Sequence, residues 1–139
     1  MPSANPVYYA ENLYLNGELI EDLVIPEGVT TLGSKILEGN TTVKEVVIPL
    51  SVTDFGGTPN AAGTGASGGM FYKSAVEKVV LPEGWTEIPV AAFNQASQLK
   101  EVNIPASVTT IGINAFAGTG LETLIVPETV KEIGYGAFR

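Results

Sequence analysis

An apolar residue followed by proline recurs along the chain as Ile25-Pro26, Ile48-Pro49, Leu81-Pro82, Ile104-Pro105 and Val126-Pro127, at spacings of 23, 33, 23 and 22 residues. Aligning on the proline brings further columns into register. Three residues on stand Val29, Val52, Trp85, Val108 and Val130, and six on stand Leu32, Phe55, Ile88, Ile111 and Ile133. Gly33, Gly56, Pro89, Gly112 and Gly134 follow, and Leu37, Phe71, Phe93, Phe116 and Phe138 close the units. Ala92, Ala115 and Ala137 precede the last three of these.

Each column has a physical reading. Residues before the proline alternate: in Val43-Lys44-Glu45-Val46-Val47-Ile48, Val46 and Ile48 share one face and Val47 takes the other. Their β-branched character predicts a strand, which proline ends because it cannot donate to a ladder. A second short extended piece follows, such as Val108-Thr109-Thr110-Ile111. The glycine after it is expected to supply a φ > 0 corner. Asn114-Ala115-Phe116 reads as one helical turn whose phenylalanine plugs the coil. No unit this short buries its apolar set alone, whereas stacked units make one continuous core.

The pattern (L/V/I)xx(I/V/L)x(I/V)PxxVxxIGxxAF resembles the BspA-like leucine-rich repeat over residues 20–139. The resemblance implies a right-handed, β-rich leucine-rich-repeat solenoid with a parallel sheet, short second strands and short helical turns. It also implies a cell-surface or secreted bacterial protein that binds other proteins, such as host or matrix components. The family tends to place a cysteine three residues past the phenylalanine. Here those places hold Asn40, Ser74, Ala96 and Thr119, a change in core filling rather than in fold.

The units run 20–42, 43–75, 76–98, 99–120 and 121–139, the last cut short after Phe138-Arg139. Residues 1–19 fall outside the pattern and read as a capping hairpin, with strand-like Val7–Tyr9 and Leu13–Leu15 and a tight turn at Asn16-Gly17. The 33-residue unit carries an insertion, residues 57–69, rich in Gly, Ala, Ser and Thr. It reads as a flexible surface loop bulging from the solenoid. Its GxGxxG match at Gly63, Gly65 and Gly68 lacks the βαβ setting of a dinucleotide site. The fifth unit shows no cap after its strand Leu121–Val126, which predicts end-to-end self-association through residues 121–139, most simply as a homodimer.

Composition narrows the chemistry. Without Cys or His there is no thiolate nucleophile, disulfide, imidazole base or Cys/His metal site. Fifteen acidic against seven basic residues give a net charge of −8, the wrong sign for a nucleic-acid backbone. No run of eighteen apolar residues predicts a membrane span, and no basic-then-apolar leader opens the chain. No cofactor is expected. Carboxylates such as Glu83 and Glu128 would serve a paired-carboxylate hydrolase, the remote alternative.

The exposed side of the repeat strands carries the leading functional expectation. One column, Glu21, Lys44, Glu77, Lys100 and Glu122, alternates in sign at every step, so neighbouring rungs are expected to pair their charges. Three places along stand Val24, Val47, Val80, Asn103 and Ile125. An outward apolar stripe beside a charge ladder predicts a non-catalytic protein-binding face. The alternative is a structural spacer within a longer surface protein.

Overall fold

The computed structural model describes residues 14–54, 57–61 and 66–139. Strands β1 (Tyr14–Leu15) and β2 (Glu18–Leu19) form a hairpin. Asn16 and Gly17 between them both have positive φ, 52° and 82°, the turn that matches strand twist. The expected strand at Val7–Tyr9 lies outside the described residues. Strands β3 (Asp22–Val24) and β4 (Glu45–Val47) follow, then the insertion strands β5 (Thr58–Pro59) and β6 (Ala66–Ser67). After them come β7 (Lys78–Val80), β8 (Glu87–Ile88), β9 (Glu101–Val102), β10 (Thr110–Ile111) and β11 (Glu132–Ile133).

One parallel sheet has the order β3-β4-β7-β9, with Leu23, Val46, Val79 and Val102 in register. A second parallel sheet, β11-β10-β8, runs along another side of the coil. Inward residues of both sheets meet in a core containing Val46, Val79, Ile88 and Ile111. Down its length the closing phenylalanines stack ring on ring: Phe71 on Phe93 at 5.3 Å, Phe93 on Phe116 at 5.1 Å and Phe116 on Phe138 at 5.8 Å. Leu37 takes the same place in coil one and is fully buried. This is a parallel-strand solenoid, as the repeat predicts.

The closing segments are not helical turns. Each is a run of hydrogen-bonded reverse turns, as in coil three, where Ala92 donates to Pro89, Asn94 to Ala91 and Ala96 to Phe93, each at 3.1 Å. Ala91 and Gln95 adopt φ of 54° and 58°, and a left-handed residue recurring every fourth place stops a helix from propagating. The cause lies between coils. Phe93 N–H donates to Ala115 at 2.7 Å and Gln95 N–H to Ala117 at 2.8 Å, so stacking uses donors that a helix would have kept within the chain.

The column glycines also do something other than expected. Positive φ falls at Lys35, Ala91, Asn114 and Gly136 rather than at Gly33, Gly112 and Gly134. At Gly112 a Cβ would stand 2.6 Å from Val90 N, and at Gly134 2.5 Å from Ile113 N. These glycines let one coil's backbone lie against the previous one.

Phe55, Gly56, Gly63 and Gly65 lie outside the described residues. The insertion strands pair antiparallel, Thr58 with Ser67 and Pro59 with Ala66. The C-terminal end of the insertion joins the solenoid: Gly69 accepts a hydrogen bond from Lys35 N–H at 3.1 Å, and Ser34 Oγ donates to Gly68 O. Gly68, Gly69 and Met70 are buried.

Leu121–Val126 is not a strand, contrary to the repeat pattern, and β9 is therefore an edge of its sheet. The rest of coil five is docked, with β11 paired to β10 and Phe116 N–H donating to Ala137 at 2.8 Å.

Candidate functional site

The outward face of the first sheet is assembled by strand alternation. With Leu23, Val46 and Val79 turned into the core, the next residues Val24, Val47 and Val80 must point away from it. Register aligns these three valines across adjacent strands. Val24 is 64% exposed, while Val47 and Val80 are half-buried. Leu50, also exposed, extends the patch from the turn after β4. It lies over Gly84, where a Cβ would be 3.1 Å from Leu50 Cδ1. Together with Pro49 and Pro82 these side chains line a shallow groove of about 500 Å³, bordered by Glu27 and Glu83.

Two members of the predicted stripe do not join it. Asn103 turns its amide onto the preceding coil, accepting from Leu81 N–H through Oδ1 at 3.0 Å and donating through Nδ2 to Leu81 O at 3.3 Å. Ile125 belongs to the unpaired limb of coil five and is 87% exposed. The structure brings together Val24, Val47 and Val80 and adds Leu50, which the column alignment passed over because it follows the proline.

Charge sits beside the groove, in a different column from the one expected. Among the described residues Glu21, Lys44, Glu77 and Lys100 make no ion pair within 4.0 Å, and Glu122 likewise makes none. The neighbouring outward column, Asp22, Glu45, Lys78 and Glu101, is in strand register. Within it Lys78 Nζ lies 3.7 Å from Glu45 Oε1. Both partners are substantially solvated, so the pair orients the rungs more than it stabilises them.

A second concavity, about 380 Å³, opens between coils two and three, where among the described residues no pairing joins Asp54 to β8. Its lining includes Val52, Asp54, Gly57, Trp85, Glu87 and Val90. The insertion, whose first residue Gly57 lines the concavity, is the one sequence signal near it. The carboxylates singled out for hydrolysis are not brought together by adjacent coils: Glu83 belongs to coil three and Glu128 to coil five, with Ala106 in the equivalent place between them. Among the described residues no three His, Cys, Asp or Glu side chains gather as metal ligands, and no helix is long and apolar enough to cross a membrane.

Residues 10–139 match the family model for the BspA type leucine-rich repeat region, in six copies. The first copy begins inside the stretch assigned above to the capping hairpin. No curated protein matches the chain. The fold is similar to the crystal structure of a leucine-rich repeat protein from Bacteroides ovatus, with a TM-score of 0.61 and 24% identity over 86% of this chain and 32% of that one. It is similar also to the leucine-rich repeat protein of T. pallidum, with a TM-score of 0.61 and 29% identity over 86% of this chain and 54% of that one. The chain thus spans about a third and about half of the length of these relatives. Repeat proteins of this kind generally serve protein interaction or structural roles. The match covers nearly the whole sequence, and on it the chain belongs to the BspA type leucine-rich repeat family.

Proposed function

We propose that the chain is a non-catalytic protein-interaction module that binds through the outward face of its first sheet. The observation that carries this reading is the apolar groove formed by Val24, Val47, Val80 and Leu50 across three successive coils. Outward positions of a sheet need no apolar side chains for folding, and a contiguous apolar patch rimmed by charge is what a partner surface would desolvate. Surface association is common among proteins with this repeat, which supports a surface-displayed or secreted setting and partners such as matrix proteins. A structural spacer is the second reading, favoured by the continuous phenylalanine stack that stiffens the coil axis.

The test is binding of the wild-type chain and of Val47→Lys/Val80→Lys to a panel of immobilised extracellular-matrix proteins. The interaction reading expects at least one partner whose affinity falls by about tenfold or more in the double variant, since two desolvated ammonium groups would oppose docking. Undiminished binding in a folded variant would remove the sheet face from the account. Absence of binding across the panel would favour the spacer.

A further inference from the structure

Strands β4 and β7 show how this sheet fills an edge. The Lys44 carbonyl accepts from the N–H groups of Glu77 and Lys78 at 2.8 and 3.0 Å, and Ile48 N–H donates to the Val80 carbonyl at 3.0 Å. Val46 lies in register with Val79, and Glu45 with Lys78, whose Nζ is 3.7 Å from the Glu45 carboxylate. The edge of β4 is thus filled by an extended segment that runs acidic, basic, apolar: Glu77-Lys78-Val79.

Strand β9 presents the same triad. Lys44-Glu45-Val46 recurs as Lys100-Glu101-Val102, at the same distance before the proline. One edge of β9 is taken by β7, and the Asn103 amide bonds to Leu81 on that side. The other edge carries no strand. The Lys100 carbonyl and the Ile104 N–H, counterparts of the Lys44 carbonyl and the Ile48 N–H, make no hydrogen bond among the described residues. A backbone running extended beside β9 satisfies both at once. A cleft of about 340 Å³ opens against this edge, with Val102, Ile104, Leu124 and Ile125 in its walls. The chain's own next segment has Thr123 and Leu124 where β7 has Lys78 and Val79, and residues 121–126 do not pair with β9.

We infer that the free edge of β9 is a strand-addition site for an extended segment of a partner protein with the acidic, basic, apolar order of β7, bound parallel to β9. Main-chain bonds to the Lys100 carbonyl and from the Ile104 N–H hold the added strand. Its apolar residue packs along Val102, and its basic residue faces Glu101 as Lys78 faces Glu45. The charge pair is solvated, so it sets register and choice of partner more than affinity. A folded second copy of the chain does not supply this strand, because its Lys78 and Val79 are already paired on both sides, with β4 and with β9. The site is separate from the apolar groove over coils one to three, so the two surfaces stand or fall independently.

The probe is a capped synthetic peptide with the sequence of residues 75–82, titrated into the whole chain and followed by amide NMR and hydrogen exchange. At a peptide concentration about ten times the Kd, exchange of the Ile104 amide is expected to slow by about tenfold, with the β11 amides unchanged. A peptide carrying Lys78→Pro lacks the N–H that reaches the Lys100 carbonyl and is expected not to bind. Glu101→Lys in the chain is expected to weaken the original peptide about threefold and to strengthen a Lys78→Glu peptide by a similar factor. Absence of binding at millimolar peptide, equal binding of the proline peptide, or protection centred on β11 or on the Val24–Val47–Val80 face instead of Ile104 would each overturn the inference. The first two peptides act on the wild-type chain, so these results hold even where Glu101→Lys folds poorly.

Discussion

Ser107 in coil four donates its hydroxyl to the Trp85 carbonyl of coil three at 2.6 Å, while accepting the Gly84 N–H at 3.1 Å. Ser51 does the same one coil pair earlier, donating to Val29 O at 2.8 Å and accepting Gly28 N–H at 3.0 Å. Coils one and three read Pro-Glu-Gly after the strand, whereas coils two and four read Pro-Leu-Ser and Pro-Ala-Ser. The serine coil thus stitches itself to the glycine coil before it. The stitches join coil one to coil two and coil three to coil four, while the β4–β7 ladder carries coil two onto coil three and the β10–β11 ladder carries coil four onto coil five.

Removing a stitch should therefore cost stability at its own seam. Ser107→Ala leaves the Trp85 carbonyl without its side-chain donor, and a loss of about 0.5–1.5 kcal/mol is expected. Ser51→Ala should do the same, and the two losses should add because the sites share no partner. Urea unfolding midpoints of the single and double variants measure both.

The phenylalanine stack predicts a graded response along the axis. Phe93 is fully buried between Phe71 and Phe116, so Phe93→Ala should cost about 3–5 kcal/mol. Phe138 stacks on one side and is 48% exposed, so its truncation should cost less than half as much. Phe93→Leu should be milder than Phe93→Ala, since Leu37 fills the same place in coil one. Equilibrium denaturation orders the three variants.

Gly112→Ala separates the two explanations of the glycine column. Its φ is not in the left-handed range, yet a Cβ would meet backbone atoms Val90 N at 2.6 Å and Pro89 C at 2.8 Å. Overpacking against backbone should destabilise by about 1–3 kcal/mol. At Gly33 the nearest atom is a side-chain methyl, Ile36 Cγ2 at 2.9 Å, which can shift only through the stiff χ1 of a β-branched residue but is not backbone. Gly33→Ala should therefore cost less than Gly112→Ala. Similar melting temperatures for the two variants would contradict the close-approach reading.

What was legible in the sequence follows from what is periodic. Val46, Val79, Ile88 and Ile111 announced themselves as core because strand alternation repeats in every unit, and the Asn16-Gly17 turn is fixed by local backbone preference. The turns were misread because Ala115-Phe116 has good local helix character, while the decisive hydrogen bonds come from the next coil. Asn103 was read as a member of the outward stripe because its place in the column is right. Nothing in a column says that an amide will choose the Leu81 backbone over solvent. The serine stitches are absent from the column reading, because the alternation of Pro-Glu-Gly with Pro-x-Ser takes its meaning only from the distance between coils.

The insertion gives a further test of that boundary. Replacing residues 59–66 with a two-residue Asn-Gly turn should leave the melting temperature nearly unchanged, since loop length costs only about 0.6 kcal/mol per doubling. Extending the excision through Gly68–Met70 should lower it clearly, because Met70 is fully buried and Gly69 receives the Lys35 N–H. Thermal melts of the two deletions compare them.

Methyl NMR of the chain titrated with a matrix protein that retains it tests the central claim most directly. Val24, Val47, Val80 and Leu50 project from one sheet face, whereas Ile133 is exposed on the second sheet. The account predicts shifts and broadening at the first four methyl sets, with Ile133 unmoved. Perturbation centred on Ile133 with Val47 and Val80 unchanged would contradict it.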